Sequence, residues 1–299
     1  MQQDIPYLKE GDLIFITAPA KAIDYDLIEN ATNYFERKGF RVKIAKHCCD
    51  QYNYFSGSLA QRTSDFQDGI NDSEVKAIVC ARGGYGSVQI IDHLQWAAFL
   101  KEPKWIVGFS DITYFHQKIA KYGIKSIHGT MPLNFKENSS LALDTLIGSL
   151  KGDLPEFTIK SNPLNKLGET QGKLIGGNLS IIYANIGTDD KPSYDGCILF
   201  IEDLCEQLYH IDRMFNALRK AGILSRIKGL IIGGMTDLKD TSKPFGMTYE
   251  EIILSYLKYE KIPVCFDFPS GHIDDNRALI LGNQIKFDVQ KSQVKINYL

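Results

Sequence analysis

The chain has 299 residues, 44% hydrophobic and 23% charged, with a formal net charge of −2. That length favours two domains over one, and the composition is that of a soluble globular protein. Near-neutral charge with scattered Lys and Arg leaves no electrostatic footprint for nucleic acid or an anionic membrane, and no apolar run approaches the roughly 18 residues that span a bilayer.

The N-terminal stretch MQQDIPYLKEGDLIFITAPA has neither the basic start nor the apolar core of a secretory leader, so a cytoplasmic location is expected. "LIFITA" (Leu13 to Ala18) then reads as a buried strand. Asp24 to Lys38 carries Leu27, Ile28, Ala31 and Phe35 at helical spacing, and Gly39 ends it. "RVKIA" is a strand. Ser58 to Ile70 is a helix whose polar outer face includes Arg62 and Asp65. "VKAIVCA" (Val75 to Ala81) is a strand, Val88 to Leu94 a helix, "KWIVGFS" a strand, Asp111 to Lys121 a helix and "KSIHG" a short strand. Strands and helices alternating at these lengths predict a parallel sheet covered on both faces, with ligands at the carboxyl ends of its strands.

The stretch 151–167, KGDLPEFTIKSNPLNKL, breaks this rhythm with Pro, Asn and Gly and is read as a linker between an N-terminal domain (1–150) and a C-terminal one (168–299). Beyond it, "QGKLIGGNLSII" joins a strand to a helix, and "GCILFIED" (Gly196 to Asp203) is a buried strand ending in acids. Tyr209 to Lys220 and Thr248 to Lys258 are helices on either side of the strand "KGLIIGGM". "ALILG", "IKFDV" and "QVKINYL" close the chain as strands of mixed parallel and antiparallel character. The six cysteines, Cys48, Cys49, Cys80, Cys197, Cys205 and Cys265, form no C-x-x-C pair, and no disulfide framework is expected in a reducing compartment.

Two turns lie at strand ends. "ARGGYGS" places Gly83, Gly84 and Gly86 between a strand and a helix. There the backbone can come close to an anion and offer its N–H groups; the plain alternative is a tight structural turn. It lacks the full G-x-G-x-x-G spacing of a dinucleotide loop. "GFSD" places Ser110 where a strand meets a helix. Ser110 is then either an ordinary helix cap or a nucleophile on a sharp turn, although Ile112 stands where the second glycine of G-x-S-x-G belongs. Asp111 can supply the cap and leave Ser110 free.

Among the histidines, His47, His93 and His116 read as solvated or structural, His210 opens a helix, His128 follows a strand and can line a site, and His272 sits in the loop "DFPSGH". Glu202 at the end of "CILFIED" needs a partner if buried. It either faces solvent, pairs with Arg213, or orients a catalytic His. Glu206 and Arg213 read as a structural pair, and Asp274 and Asp275 as a solvated loop. No H-E-x-x-H or compact Cys/His cluster supports a metal.

Taken together and in this order, "YFSGSLAQRTSDFQDGINDSEVKAIVCARGGYGS", "GFSDIT", "IHG", "GGNLS", "LFIEDLCEQLYHIDRM" and "FPSGH" resemble the LD-carboxypeptidases. These are serine peptidases that trim murein tetrapeptides, a family that includes the microcin C immunity hydrolases. The resemblance runs from about Gly11 to the C-terminus. It implies an N-terminal flavodoxin-like α/β domain, a C-terminal swivelling β/α domain, a site between them and no cofactor. By the family's motifs, the nucleophile falls on Ser110, the orienting acid on Glu202 and the base on His272. The oxyanion donors fall on the N–H of Asp111 and an N–H of the Gly83-Gly84 turn. The implied reaction is hydrolysis of the L–D amide before the terminal D-alanine of a muropeptide, by a homodimer. Arg82, beside the Gly turn, is a candidate for the substrate carboxylate or a support for the loop, and Asn178 in "GGNLS" is a candidate pocket residue. Two other readings share the fold: an amidase acting on a peptidyl-nucleotide, which calls for a base-stacking aromatic, and a non-catalytic sensor of wall fragments.

Overall fold

The computed structural model describes residues 5–299. The first half of the chain alternates β1 (Leu13–Thr17), α1 (Tyr25–Arg37), β2 (Arg41–Ile44), α2 (Leu59–Asn71), β3 (Val75–Cys80), α3 (Ser87–Ile90), α4 (Ala97–Lys101), β4 (Trp105–Gly108), α5 (Thr113–Lys121), β5 (Ser126–His128) and α6 (Ser140–Lys151). Every side chain of β1 and β4 is buried, as expected of strands covered on both faces. In α1, Ile28, Ala31 and Phe35 make the buried stripe. A capping box starts α2: Gln61 N–H donates to Ser58 Oγ at 3.3 Å and Ser58 N–H to Gln61 Oε1 at 2.8 Å.

The second half comprises β6 (Phe157–Lys160), β7 (Gly168–Asn178), α7 (Leu179–Asn185), β8 (Ile198–Leu204), α8 (Leu208–Lys220), β9 (Gly229–Thr236), α9 (Tyr249–Tyr256), β10 (Val264–Cys265), β11 (Leu279–Leu281), β12 (Gln284–Val289) and β13 (Gln293–Tyr298). Two sheets result, one of six strands in the order β11-β5-β4-β3-β1-β2 and one of seven in the order β10-β9-β8-β7-β12-β13-β6. The first sheet is parallel except for β11, which runs antiparallel to β5. The second is parallel from β10 to β7 and antiparallel from β7 to β6. The fold is thus a two-domain α/β architecture with mixed sheets. Strand alternation serves two cores: Leu199 and Ile201 of β8 join α7, α8 and α9, while Ile198 and Phe200 face β12, β13 and Phe268.

Four local features differ from the sequence expectation. The stretch read as a linker carries β6, paired with β13. β11 leaves the second half to extend the first sheet, because "LIL" is apolar on both faces and needs a fully covered position. The helix after the Gly turn stops at Ile90 and passes into a 3-10 turn at Ile91–His93. Helix α6 was not anticipated, although Ser139 caps it by accepting from Ala142 N–H at 3.0 Å and Gly152 ends it at φ +90°.

Helix α5 is the seam between the halves. Its Lys118 pairs with Asp190 at 2.6 Å, and its Gln117 accepts from Asn185 Nδ2 at 3.0 Å and donates to Tyr194 OH at 3.3 Å. At its start, Thr113 Oγ1 accepts the backbone N–H of Asn178 at 2.9 Å.

Candidate active site

The carboxyl ends of β3, β4 and β5 face the carboxyl ends of β7 and β8 across the α5 seam. After β4 the chain turns at Ser110, which takes φ +63°. A non-glycine residue in the left-handed region costs on the order of 1–3 kcal/mol and is held only by its surroundings. A 3-10 turn at Ser110–Ile112 then leads into α5.

Asp111 is 1% exposed, and it does not cap its own helix as expected. Its Oδ2 accepts the backbone N–H of Ser87 at 2.8 Å, at the start of α3. The reversal at Ser110 aims the carboxylate sideways, into the neighbouring Gly turn. Burial raises the Asp111 pKa, against the opposing pull of the Ser87 bonds and the Arg62 charge.

Arg62, expected on a solvated face, is 2% exposed. Its guanidinium donates to Pro19 O at 2.8 Å, Gly86 O at 3.1 Å and Gln89 Oε1 at 2.8 Å. Asp65 is buried too and accepts His47 N–H at 2.8 Å. An inward charge on α2 is worthwhile because the Gly turn presents carbonyls that water cannot reach. The turn is therefore anchored from both sides, by Arg62 and by Asp111. Gly83 is the close approach: a Cβ there would lie 3.1 Å from Ser110 Cβ and 3.3 Å from both Ser110 Oγ and the Asp111 nitrogen. The space in front of the hydroxyl and the Asp111 N–H exists because residue 83 has no side chain.

The opposite wall comes from the second half. Glu202, two residues before the end of β8, is fully buried. Its Oε2 accepts from His272 Nδ1 at 2.5 Å and from the His272 backbone N–H at 3.2 Å. Gly271, at φ +108°, permits the approach, since a Cβ there would sit 2.6 Å from Glu202 Cβ. The other oxygen, Oε1, lies 3.9 Å from Nε2 of the fully buried His128. His128 thus stands behind the carboxylate, with Nδ1 3.4 Å from Ser270 Oγ. Burial opposes the charge on both members of the Glu202–His272 pair. The attraction and hydrogen bond of His272, with His128 close by, prevail and hold Glu202 at about 2, while Glu202 raises His272 above its ordinary value. With Nδ1 engaged, Nε2 is the nitrogen left for proton transfer.

The Phe109 ring, next to Ser110 in the chain, packs edge-on against His272 at 4.8 Å between centroids. The structure thereby brings Ser110, Glu202 and His272 to one place, with no hydrogen bond drawn between Ser110 and His272. Catalytic bonds of this kind are often long until substrate closes the site.

The remaining candidates lie around this centre. Arg82 donates Nη1 to Ala22 O at 2.9 Å. Asn178 spends its amide structurally, accepting from Ile181 N–H at 3.2 Å and donating to Asp203 Oδ1 at 2.9 Å. Asp203 also accepts from Ser180 N–H and Oγ, and burial followed by the Glu202 charge raises it to about 6. Glu206 pairs with His210 and accepts from Ser180 Oγ at 2.8 Å rather than meeting Arg213, whose guanidinium lies 5.3 Å over the Tyr209 ring. Asp275, read as solvated, pairs with Arg277 at 2.8 Å. His116 is buried between Gly108 O at 2.8 Å and Ser126 Oγ at 2.9 Å, and burial lowers it to about 3. All six cysteines are free thiols. Arg62 and Thr113 were missed as supports of the site. An Arg in a polar helical stripe, and a Thr at a helix start, carry no signal that separates them from solvated residues.

The chain is similar to known proteins over most of its length. Residues 14–129 match the family model described as the LD-carboxypeptidase N-terminal domain, and residues 171–287 the model described as the C-terminal domain. A putative carboxypeptidase of Synechocystis is 32% identical over 96% of this chain and 94% of its own length. A probable murein peptide carboxypeptidase of Bacillus subtilis is 30% identical over 92% of this chain and 88% of its own. The crystal structure of muramoyltetrapeptide carboxypeptidase from Oxalobacter formigenes superposes with a TM-score of 0.86 at 26% identity, covering 96% of this chain and 98% of that one.

Proposed function

The chain belongs to the LD-carboxypeptidase family, and from that premise we propose that it hydrolyses the L–D amide before the terminal D-alanine of murein tetrapeptides, using Ser110, Glu202 and His272. The observation that carries this reading is the 2.5 Å hydrogen bond from His272 Nδ1 to Glu202, made beside a turn that holds Ser110 at φ +63°. The substrate class rests on similar proteins described as acting on murein peptide and muramoyltetrapeptide.

Neutral His272 takes the Ser110 proton through Nε2 as the hydroxyl attacks the scissile carbonyl. Glu202 fixes the tautomer and stabilises the imidazolium that forms. The Asp111 N–H and an N–H of the Gly83-Gly84 turn receive the oxyanion, each such donor worth about 3 kcal/mol. His272 then protonates the amine of D-alanine, and water repeats the sequence on the acyl-enzyme. Arg82 takes the terminal carboxylate in this reading, with Nη1 fixed on Ala22. Asn178 supports the pocket from behind through Asp203. The strand order β2-β1-β3-β4-β5 supports a flavodoxin-like first domain, followed by a swivelling second one. A cytoplasmic homodimer completes the proposal; no helix among the described residues is long and apolar enough to cross a membrane.

The test is mass spectrometry of purified tetrapeptide muropeptides after incubation with the protein. Loss of one D-alanine is expected. Cleavage of a peptidyl-nucleotide with the tetrapeptide left intact would make it an immunity-type amidase, and binding without cleavage a sensor.

A further inference from the structure

Behind the reacting centre two buried polar atoms face one another. Glu202 Oε1 and His128 Nε2 are 3.9 Å apart, on side chains that are both fully enclosed. Neither atom has a hydrogen-bond partner among the described residues. Buried polar atoms are costly to leave unpaired, so a facing pair of them marks a strained or functional place. Apolar rings seal it from water: Phe200 meets the His128 ring edge-on at 4.9 Å between centroids, and Phe109 lies 5.8 Å away.

The two atoms come from different halves of the chain. His128 ends β5, and Glu202 stands on β8. The strand that crosses over, β11, sets their distance, because Leu279 is the register partner of His128. The loop carrying His272 therefore leads into a strand that lies beside His128. Asn276 ties that loop down. Its Oδ1 accepts Gly271 N–H at 2.8 Å, and its backbone oxygen accepts from Thr130 Oγ1 at 3.3 Å.

The neighbours of His128 assign its tautomer. Nδ1 lies 3.4 Å from Ser270 Oγ. The other acceptor near that hydroxyl, Asn276 Oδ1 at 3.5 Å, is already engaged by Gly271, so the hydroxyl donates to Nδ1. The ring proton then sits on Nε2, toward the carboxylate; a bare Nε2 would set two acceptors against each other. The other titratable groups around the pair are committed elsewhere. His272 holds the second carboxylate oxygen, and Asp203 turns to Asn178 and Ser180. His116, its ring 6.3 Å from that of His128, is held by Gly108 O and Ser126 Oγ.

The gap between Nε2 and Oε1 exceeds a hydrogen bond by roughly 1 Å, a distance that a small movement of one half against the other removes. We propose that His128 is a positioning residue of the triad, and that substrate, by drawing the halves together, closes a bond from His128 Nε2–H to Glu202 Oε1. That bond fixes the carboxylate plane so that Oε2 stays on His272 Nδ1, and it keeps the proton off Glu202. The acid–base pair is then complete only when both halves are docked. The inference rests on the Ser110, Glu202 and His272 reading and adds a fourth residue, which acts through Glu202 and touches no substrate.

The experiment measures kcat, KM and the pH profile of D-alanine release from purified tetrapeptide for the wild type, His128→Leu, His128→Gln and Ser270→Ala. A second readout is the rate at which a fluorophosphonate labels Ser110, whose hydroxyl displaces fluoride from phosphorus. His128→Leu should lower kcat about tenfold to a hundredfold, the effect of a slightly misplaced base, with KM nearly unchanged. Glu202, deprived of its second donor, then pulls harder on His272, so the acid limb of kcat/KM should move to higher pH. His128→Gln carries an amide to the same oxygen and should restore most of kcat and the position of the limb. Ser270→Ala keeps the ring but frees its tautomer, and should show both changes in weaker form. In a Glu202→Gln background His128→Leu should cost little more, since both act through one carboxylate. An unmoved kcat and limb in His128→Leu would overturn the inference. So would a Gln variant as slow as Leu, or effects that multiply in full in the double variant; His128 would then only fill the core. Should His128→Leu fail to fold, Ser270→Ala decides, and a wild-type kcat and limb in it count against the inference. A wild type that is labelled but releases no D-alanine defeats the murein reading and leaves the labelling rates to decide. One that is neither labelled nor active defeats the triad and this inference with it.

Discussion

The two walls of the site are prepared in different ways. The Glu202–His272 wall is already assembled: the second half supplies a buried carboxylate and an imidazole bonded to it, and the first half places a second imidazole, His128 of β5, behind them. The Ser110 wall is assembled only as a shape. Its hydroxyl sits on a backbone held at positive φ, and the groups that hold it are behind it: Asp111 on Ser87, Arg62 on Gly86, Thr113 on Asn178. The acid–base wall is thus stabilised by electrostatics, which respond to pH. The nucleophile wall is stabilised mainly by geometry, and pH reaches it through the buried Asp111. The Thr113–Asn178 bond and the Phe109–His272 ring contact tie the residues flanking Ser110 to the other wall.

The largest effect should come from the reacting atom. Ser110→Ala is expected to reduce kcat by about 10⁴–10⁶ with the thermal midpoint nearly unchanged, since Ala keeps the Cβ and with it the same strain at positive φ. Residual D-alanine release near the wild-type rate would remove Ser110 from the mechanism. Glu202→Gln comes next, with about a 10⁴-fold loss in kcat as the imidazole loses its tautomer control. This variant also breaks the electrostatic half of the comparison. The base must be neutral, so kcat/KM should fall as pH drops through the raised His272 pKa, above the usual 6.5. Removing Glu202 takes away the main cause of the rise and leaves burial, which lowers it. The acid limb should move to lower pH in the variant, and a limb that stays in place would show that another group titrates.

The sequence makes these two walls legible to different depths. Apolar runs such as "VKAIVC" and "ILFI" announce covered strands, because only a strand buried on both faces dispenses with alternation. Ser110 could be suspected from its place between strand and helix. The partnership of Glu202 and His272, 70 residues apart, could not, since nothing in local spacing encodes a contact between a strand and a distant loop. The order of the family's motifs supplied it. Partners of buried polar groups were the least legible. Asp111 looked like a cap for its own helix and serves another; Arg62 looked solvated and holds a carbonyl; Glu206 looked paired to Arg213 and meets His210. In each case the residue type announces a need for a partner, and only packing selects which. β11 shows the same at the level of strands: "LIL" requires cover but does not say in which sheet.

The link between the walls is tested by Thr113→Val, which keeps the shape and deletes the acceptor for Asn178 N–H. An unpaired buried N–H costs about 1–3 kcal/mol. A small displacement of the nucleophile against its base can cost up to about 10² in rate. We expect kcat to fall about tenfold to a hundredfold at nearly constant KM, and Thr113→Ser to restore most of it. If Val costs stability but leaves kcat untouched, the bond merely glues the halves and does not set their register.

The smallest effect separates charge from shape behind the nucleophile. Asp111→Asn retains an oxygen for Ser87 N–H but removes a buried charge, whereas Asp111→Ala removes the cap as well, at a cost of about 0.5–2 kcal/mol. Burial raises the folded-state pKa of Asp111 above 3.8. Ionising an acid with a raised folded pKa disfavours the fold, so the relative stability it lends is complete below the unfolded value and is lost as pH rises through the folded one. Denaturant titrations should therefore find the Asn variant equal to the wild type or up to about 1 kcal/mol more stable at pH 7, with the difference shrinking toward pH 4. An Asn variant that is weaker at pH 7 and recovers in acid would mean that the Arg62 attraction outweighs burial, and that the nucleophile wall is electrostatic after all.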